Sequence, residues 1–343
     1  MVSATAPHRR INSLSHIGNG SHFVYSEGMR FSRLSFLMAL SLVVTACSGP
    51  GNLFGSKKAA DTRPVIAVSF YPLAEIVQRV AGDTVQLLQL TPAGKEPHET
   101  DISAQQLVEL SKADVVFYLG DGFQPSVEKA IRSLPSTVTT IDLLQSVEVL
   151  PQGSDQEYCL PACPNNNPPD PHVWLDPNNM SEMAITVAAE ISKVESLSST
   201  TPLTEGLTTY AEELQKVGAL IDTTFKKCER PQLVTSHDAF MYFAVRAHLI
   251  TMPITGVDPE VEPSAKDLEG TAFYTKERGV TTVFYEKTLP REFADTLAKM
   301  IGAKVDSIDA IETISENDLA AGANYISIMK TNISKIATGL GCQ

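Results

Sequence analysis

From residue 65 to residue 142 the chain alternates between two hydrophobic rhythms. The runs "VIAVSF" (65–70), "TVQLLQL" (84–90), "DVVFYLG" (114–120) and "STVTTID" (136–142) are short, apolar and mostly β-branched, which predicts strands buried on both faces. Between them, "PLAEIVQRVAG", "SAQQLVELSKA" and "QPSVEKAIRSL" repeat apolar positions at three- and four-residue steps, which predicts helices. Strand and helix in alternation specify a parallel sheet, because each crossover must return along the face of the sheet to its starting edge. The alternation restarts with "QLVTS" (232–236), "ITMPI", "TTVFYE" and "AKVDSI", separated by "DAFMYFAVRAHL", "SAKDLEGTAFYTKERG" and "REFADTLAKMIG" and closed by a helix from about Asn317 to Ala337.

Between the two series lies a different pattern. "NNMSEMAITVAAEISKV" predicts one helix, and residues 203–228 place Leu207, Tyr210, Leu214, Val217, Leu220, Ile221 and Phe225 on one helical stripe. The expected fold is therefore α/β, with a parallel-sheet lobe over 64–200, a long linker helix over 203–228 and a second parallel-sheet lobe over 229–343. A continuous helix between lobes makes a stiffer connector than a loop.

Charge and composition narrow the partners. The 343 residues are 43% hydrophobic and 20% charged, with a formal net charge of -13. A surface so acidic argues against nucleic acid or anionic membrane as the main partner and tolerates cations. The amino end reads as a targeting segment. From Met29, Arg30 and Arg33 precede the apolar stretch 34–44, and "VTAC" ends at Cys47. That is a secretory signal over 29–46, and "VTAC" resembles the bacterial lipobox, which makes Cys47 the lipidated residue, followed by a flexible tether over 47–63. Residues 1–28 show no such pattern, and the expectation is a start misassigned upstream of Met29. Export to an oxidising compartment leaves Cys159, Cys163, Cys228 and Cys342, an even number that suggests two disulfides, with Cys159–Cys163 and Cys228–Cys342 the preferred pairing.

Three histidines fall where chemistry collects in open parallel sheets, beyond the carboxyl ends of strands: His98 after "TVQLLQL", His172 after "STVTTID" and His237 ending "QLVTS". Asp309 joins them at the end of "AKVDSID". Three imidazoles and a carboxylate are a sensible tetrahedral zinc set, two from each lobe, meeting in the cleft between them. The prolines of "NPPDPHVWLDP" hold His172 on a rigid connector, so its ordering costs little affinity. His248, near a helix end, reads as a surface or capping residue. "TSHDAF" contains the residue types of a hydrolase triad, yet neighbours at a strand end point to different sides, and no G-x-S-x-G turn exists. Asp238 is expected to cap the next helix. "GDG" at 120–122 fits no phosphate loop and reads as a turn.

"TPAGKEPHETDIS", "DPHVWLDP", "TSHDAF", "VDPEVEPSAKDL" and "SIDAIE" resemble the successive signatures of the metal-binding solute-binding proteins of ABC transporters, the zinc and manganese uptake group, from about Arg63 to the carboxyl end. The resemblance implies two lobes joined by a rigid helix, metal at their interface, and His98, His172, His237 and Asp309 at the ligand positions, with Glu99 or water as substitutes for Asp309. "SAKDL" and Glu262 carry capping and packing rather than chemistry. Relatives that look manganese-selective carry glutamate where His237 stands, so this set favours zinc, although the His-rich loop of many zinc members is absent from 152–170.

The function expected is an extracytoplasmic, membrane-anchored lipoprotein that binds Zn2+ as cargo and delivers it to an ABC permease, with no catalytic cofactor and no enzymatic activity. The rivals are a manganese or iron carrier of the same family and a secreted zinc hydrolase, which would need an open coordination position and a general base.

Overall fold

The computed structural model describes residues 61–153, 168–197 and 199–343. The first series of strands, β1 (Val65–Val68), β2 (Gln86–Gln89), β3 (Val115–Tyr118) and β4 (Thr139–Asp142), forms an all-parallel sheet in the order β2-β1-β3-β4. The second, β5 (Gln232–Thr235), β6 (Ile250–Pro253), β7 (Thr282–Glu286) and β8 (Lys304–Ile308), repeats that order as β6-β5-β7-β8. Helices α1 (Tyr71–Ala81), α2 (Ala104–Leu110) and α3 (Pro125–Ile131) serve the first lobe. Helices α6 (Met241–Ala247), α7 (Ala265–Glu277), α8 (Glu292–Ile301), α9 (Glu316–Ala320) and α10 (Tyr325–Leu340) serve the second. Between them run α4 (Pro177–Ile191) and the 24-residue α5 (Thr201–Thr224).

The alternation of side chains along each strand decides what each sheet face touches. Ile66, Val68, Val115 and Phe117 face one core, while Ala67 and Val116 face a second under α2 and α3. In the other sheet Leu233 and Phe284 join the first core, and Val234 and Val283 pack with Met252, Ala272 and Leu297 in a third. The inner faces of both sheets therefore share one core with Trp174, Met183, Tyr210, Phe243, Tyr325 and Met329. This shared core makes residues 60–343 a single compact unit.

Helix α5 buries Leu203, Tyr210, Leu214, Val217 and Ile221. It lies so close to the end of α1 that a Cβ on Gly206 would meet the Val80 carbonyl oxygen at 2.4 Å, so only glycine fits there. Of the predicted stripe, Tyr210, Leu214, Val217, Ile221 and Phe225 are buried and Leu207 partly so, while Leu220 is 37% exposed; the helix starts at Thr201 and ends at Thr224, because Phe225 leaves the helical conformation. Cys228, beyond it, forms a disulfide with Cys342, 114 residues later, pinning the end of the linker to the end of α10. Cys159, Cys163, Cys47, the signal segment and the extension before Met29 lie outside the described residues. Arg63, the last residue of the expected tether, is already part of the lobe, with its guanidinium donating to the Asp83 and Val85 carbonyls at 2.9 and 3.3 Å.

Two local expectations are corrected. The closing helix is two helices, since Gly322 (φ 84°) turns the chain between α9 and α10, and Ser315 and Asn324 cap the two starts. Asp238 does not cap α6, which begins three residues later with Phe240 at its N-cap. Ser264 does cap α7, in a reciprocal pair with Asp267. His248 ends α6 as an exposed C-cap in the left-handed region (φ 55°). Among the described residues, no helix is long and apolar enough to cross a membrane.

Candidate metal centre

His237 sits just beyond β5, and Glu286 is the last residue of β7. These strands are neighbours, and the chain leaves them in opposite directions across the sheet, so the pair flanks the crevice where open α/β sheets hold ligands. The Glu286 carboxylate grips His237 twice. It accepts the backbone N–H at 3.2 Å through Oε1 and faces Nδ1 at 2.6 Å through Oε2. Nε2 is left pointing into the cleft.

His172 is held in the same way from the first lobe. Asp170 Oδ1 accepts the His172 backbone N–H and contacts Nδ1, both at 2.8 Å, and both side chains are fully buried. The Asp170 carbonyl is itself tied to α6 by the Tyr242 hydroxyl at 2.9 Å. His172 opens a short 3-10 turn, Val173–Leu175, that delivers Trp174 into the shared core. His98 comes on the 91–100 loop, edge-on to Phe123 with ring centroids 4.7 Å apart.

The carboxylate that meets these imidazoles is Glu312, not Asp309. Glu312 Oε1 lies 3.3 Å from His172 Nε2, 3.3 Å from His237 Nε2 and 3.6 Å from His98 Nε2. Asp309 is occupied by the backbone. Its Oδ1 accepts the Ile311 N–H at 2.9 Å, and Asn332 of α10 brackets its own N–H and carbonyl at 3.0 and 2.7 Å. That turn forces Ile311 to φ 58°, a costly conformation for a β-branched residue, and throws Glu312 into the cleft. "SIDAIE" contains both residues. The strand-end rule selects the first, and the turn geometry that selects the second has no sequence signature in an isoleucine. Glu99 is exposed and outside the group.

The four atoms are arranged around a point rather than toward one another. His98 Nε2, His172 Nε2, His237 Nε2 and Glu312 Oε1 all lie within 4.8 Å of each other, and none makes an aligned hydrogen bond. Ligands at about 2.0 to 2.1 Å from a tetrahedral centre are roughly 3.3 Å apart, which is the spacing around Glu312. Leaving one buried polar atom unpaired costs about 1–3 kcal/mol, and a shared cation is the partner that satisfies all four.

Electrostatics around the point are those of a cation site. Burial disfavours charge on His172, but Asp170 and Glu312 outweigh it and raise its pKa to about 9. Burial acts likewise on His237, and the Glu286 and Glu312 carboxylates hold it well above its ordinary value. Glu312 is held well below the carboxylate range despite its burial, by His237 and by the close approach of the imidazole nitrogens. One further group escaped the sequence reading. Glu96 accepts the His98 backbone N–H at 3.2 Å, and burial followed by the Glu312 charge pushes its carboxyl up to about 8.

The two lobes are braced at this point. Trp174 Nε1–H donates to the Ala310 carbonyl at 2.7 Å, the Tyr325 hydroxyl donates to the Trp174 carbonyl at 2.6 Å, and the Gly94 N–H donates to Thr313 Oγ1 at 2.8 Å. The loops that carry His98, His172 and Glu312 thus share a frame.

Two parallel-sheet lobes on a helical linker, with a buried three-imidazole, one-carboxylate cluster between them, define a metal-binding solute-binding protein by architecture. The comparisons with known proteins agree. Residues 66–339 match the family described as zinc-uptake complex component A, periplasmic, and the chain belongs to that family. It is 31% identical over 314 residues to the zinc-binding lipoprotein AdcA of Streptococcus pneumoniae, covering 89% of this chain and 60% of that protein. It is 28% identical to the high-affinity zinc uptake system protein ZnuA of Bacillus subtilis, covering 91% and 98%. Among solved structures, Zn(II)-bound AdcA from Streptococcus pneumoniae superposes with a TM-score of 0.69 at 29% identity, over 81% of this chain and 58% of that one. The ZnuA-like domain of the same protein, also Zn(II)-bound, gives 0.67 at 28% identity over 81% and 99%. The chain therefore spans about 60% of the longer AdcA relatives.

Proposed function

We propose that this chain is the extracytoplasmic zinc-binding component of an ABC metal importer, taking Zn2+ as cargo in the cleft between a first lobe, 64–200, and a second, 229–343, and passing it to a membrane permease. The observation that carries this reading is the convergence of three imidazole Nε2 atoms on one carboxylate oxygen at 3.3–3.6 Å, all four within 4.8 Å of one another and each without a hydrogen-bond partner. His98, His172, His237 and Glu312 are the ligands. Asp170 and Glu286 orient His172 and His237 through Nδ1, the arrangement that fixes the tautomer and strengthens a metal-bound imidazole.

Zinc is favoured over manganese because three nitrogen donors and a single carboxylate suit a four-coordinate borderline ion better than a hard octahedral one. Family membership supports the importer role, and the zinc-bound relatives support the metal. Four protein donors complete a tetrahedron and leave no position for an attacking water, so a carrier fits better than a hydrolase. Lipidation at Cys47 after removal of 29–46 would hold the protein at the outer membrane face, and the Cys159–Cys163 pair would staple the loop before His172. The test is metal analysis of protein purified without chelator, followed by competition between zinc and manganese. Stoichiometric zinc that manganese fails to displace is expected. Preferential manganese loading would sink the zinc reading.

A further inference from the structure

Two clefts open beside the four-atom cluster. One, of about 500 Å³, is lined by Lys287, Lys335, Asp309 and Thr313 and touches none of the four ligands. The other, of about 450 Å³, is lined by Asp121, Phe123, Pro171, Asp258 and Val261 and reaches His98. The turn carrying Glu312 separates the lysine-lined cleft from the ligands.

The second cleft has the properties of a passage. His98 is the most accessible of the four ligands, with a side chain 10% exposed against 0% for His172 and His237 and 5% for Glu312. His98 belongs to the wall of this cleft, and its buried Nε2 has no hydrogen-bond partner. Asp121 and Asp258 are both exposed on that wall, and neither is in an ion pair among the described residues. Each sits on a braced turn. Gly120 N–H donates to Asp142 at 2.9 Å and Gly122 N–H to Glu128 at 2.7 Å, while a Cβ on Gly120 would strike the Asp142 carboxylate at 2.5 Å. Asp258 Oδ1 accepts the Glu260 N–H at 3.0 Å, and its carbonyl accepts the Val261 N–H at 3.4 Å. A divalent cation with six waters of about 30 Å³ each needs roughly 180 Å³, so the cleft holds the hydrated ion, which must shed water to go further.

We infer that zinc enters and leaves through this carboxylate-flanked cleft, where Asp121 and Asp258 attract the hydrated cation and His98 is the first ligand to replace its water. The inference rests on the zinc reading above and adds its route. Fixed negative charge at a low-dielectric mouth raises the local cation concentration and the association rate, an effect that salt screens. The other cleft sets Lys287 and Lys335 against Asp309 and Asp318, so it offers the ion no net attraction.

The test is stopped-flow association of Zn2+ alone with the full chain, read through Trp174, the only tryptophan, whose ring centroid is 5.2 Å from that of His172. Asp121→Asn with Asp258→Asn should slow association about three- to tenfold at low salt and flatten its salt dependence. Glu205→Gln with Glu212→Gln, exposed on α5 outside both clefts, removes the same charge and should leave the rate nearly unchanged. Val261→Phe, at a position 61% exposed, keeps Trp174 as the single tryptophan and should slow association and dissociation together while preserving the equilibrium constant, as an obstruction in a shared path must. Tight zinc binding with the same rates in the cleft variants as in the control overturns the route alone. Failure of the unaltered chain to bind zinc overturns the zinc reading and the route with it.

Discussion

The two lobes have the same sheet order, yet they deliver their ligands differently. The second lobe places His237 directly beyond the inner strand β5 and backs it with Glu286 at the end of neighbouring β7, so backbone ladder and core packing position both. The first lobe hangs His98 and His172 on loops beyond the outer strands β2 and β4, and each loop needs its own braces: Glu96 for His98, and Asp170 with Tyr242 for His172. The second lobe is the anvil and the first supplies the accessible side. Capture and release of an ion call for that asymmetry, because a site rigid on every side would admit nothing.

The largest effect should come from the turn where the second lobe departs from simple strand-end geometry. Glu312→Ala should cost several orders of magnitude in zinc affinity in a chelator competition, since it removes a ligand and leaves three buried imidazoles facing nothing. Asp309→Asn should cost much less, acting only by loosening the turn at Ile311. Equal losses would restore Asp309 as a ligand.

Next come the orienting carboxylates. Glu286→Gln and Asp170→Asn should each weaken zinc binding about 10- to 100-fold. Glu286→Gln should be the worse: both carboxylates grip the backbone and ring of a histidine that is 0% exposed, but Glu286 ends a sheet strand while Asp170 lies on a loop. A greater loss from Asp170→Asn would reverse the assignment of rigid and accessible lobes.

Acidity sharpens the comparison further. A raised histidine pKa means that the imidazole holds its proton below that value when no metal is bound, so zinc must displace it. For His172 that value is about 9, and His237 is likewise held well above its ordinary value. Apparent zinc affinity should therefore climb as pH rises from 6 to 9, by about tenfold per unit for each proton released. Ordinary histidines would instead level off above roughly 6.5. A titration flat between pH 7 and 9 would show that the carboxylates do not hold protons on these rings.

The smallest effect is expected at the fourth histidine of this region. His248→Asn keeps a residue that tolerates the left-handed C-cap, so zinc affinity should be unchanged and stability should move by less than about 0.5 kcal/mol in thermal melts. A measurable loss of zinc binding would mean that α6 transmits to the centre through Tyr242.

Much of this was legible before any coordinates. The strand runs are in place, with burial on both faces holding for the inner strands β1, β3, β5 and β7 and not for the partly exposed β2, β4 and β8, and "QLVTSH" puts His237 at a strand end where backbone direction alone determines the outcome. The proline frame around His172 likewise announced a held residue. The strand-end rule points to Asp309 after β8, and a helix-start rule points to Asp238 before α6, yet Asp309 caps its own turn at Ile311 and the Asp238 N–H is tied to the Gly256 carbonyl, three residues before α6 begins. Ile311 in the left-handed region is the extreme case, since nothing in an isoleucine predicts it.

The linear pattern determined the two α/β lobes, their helical linker, the three imidazoles and the acidic character of the molecule, because periodicity, strand ends and charge are local properties of the chain. Tertiary structure alone decided that Glu312 completes the cluster, that Asp170 and Glu286 aim the rings, and that one cleft carries carboxylates alone while the other balances them with lysines. Those outcomes depend on local turn geometry, as between Asp170 and His172, and on contacts between separate segments, such as His237 with Glu286 and Trp174 with Ala310, which periodicity along the chain does not encode.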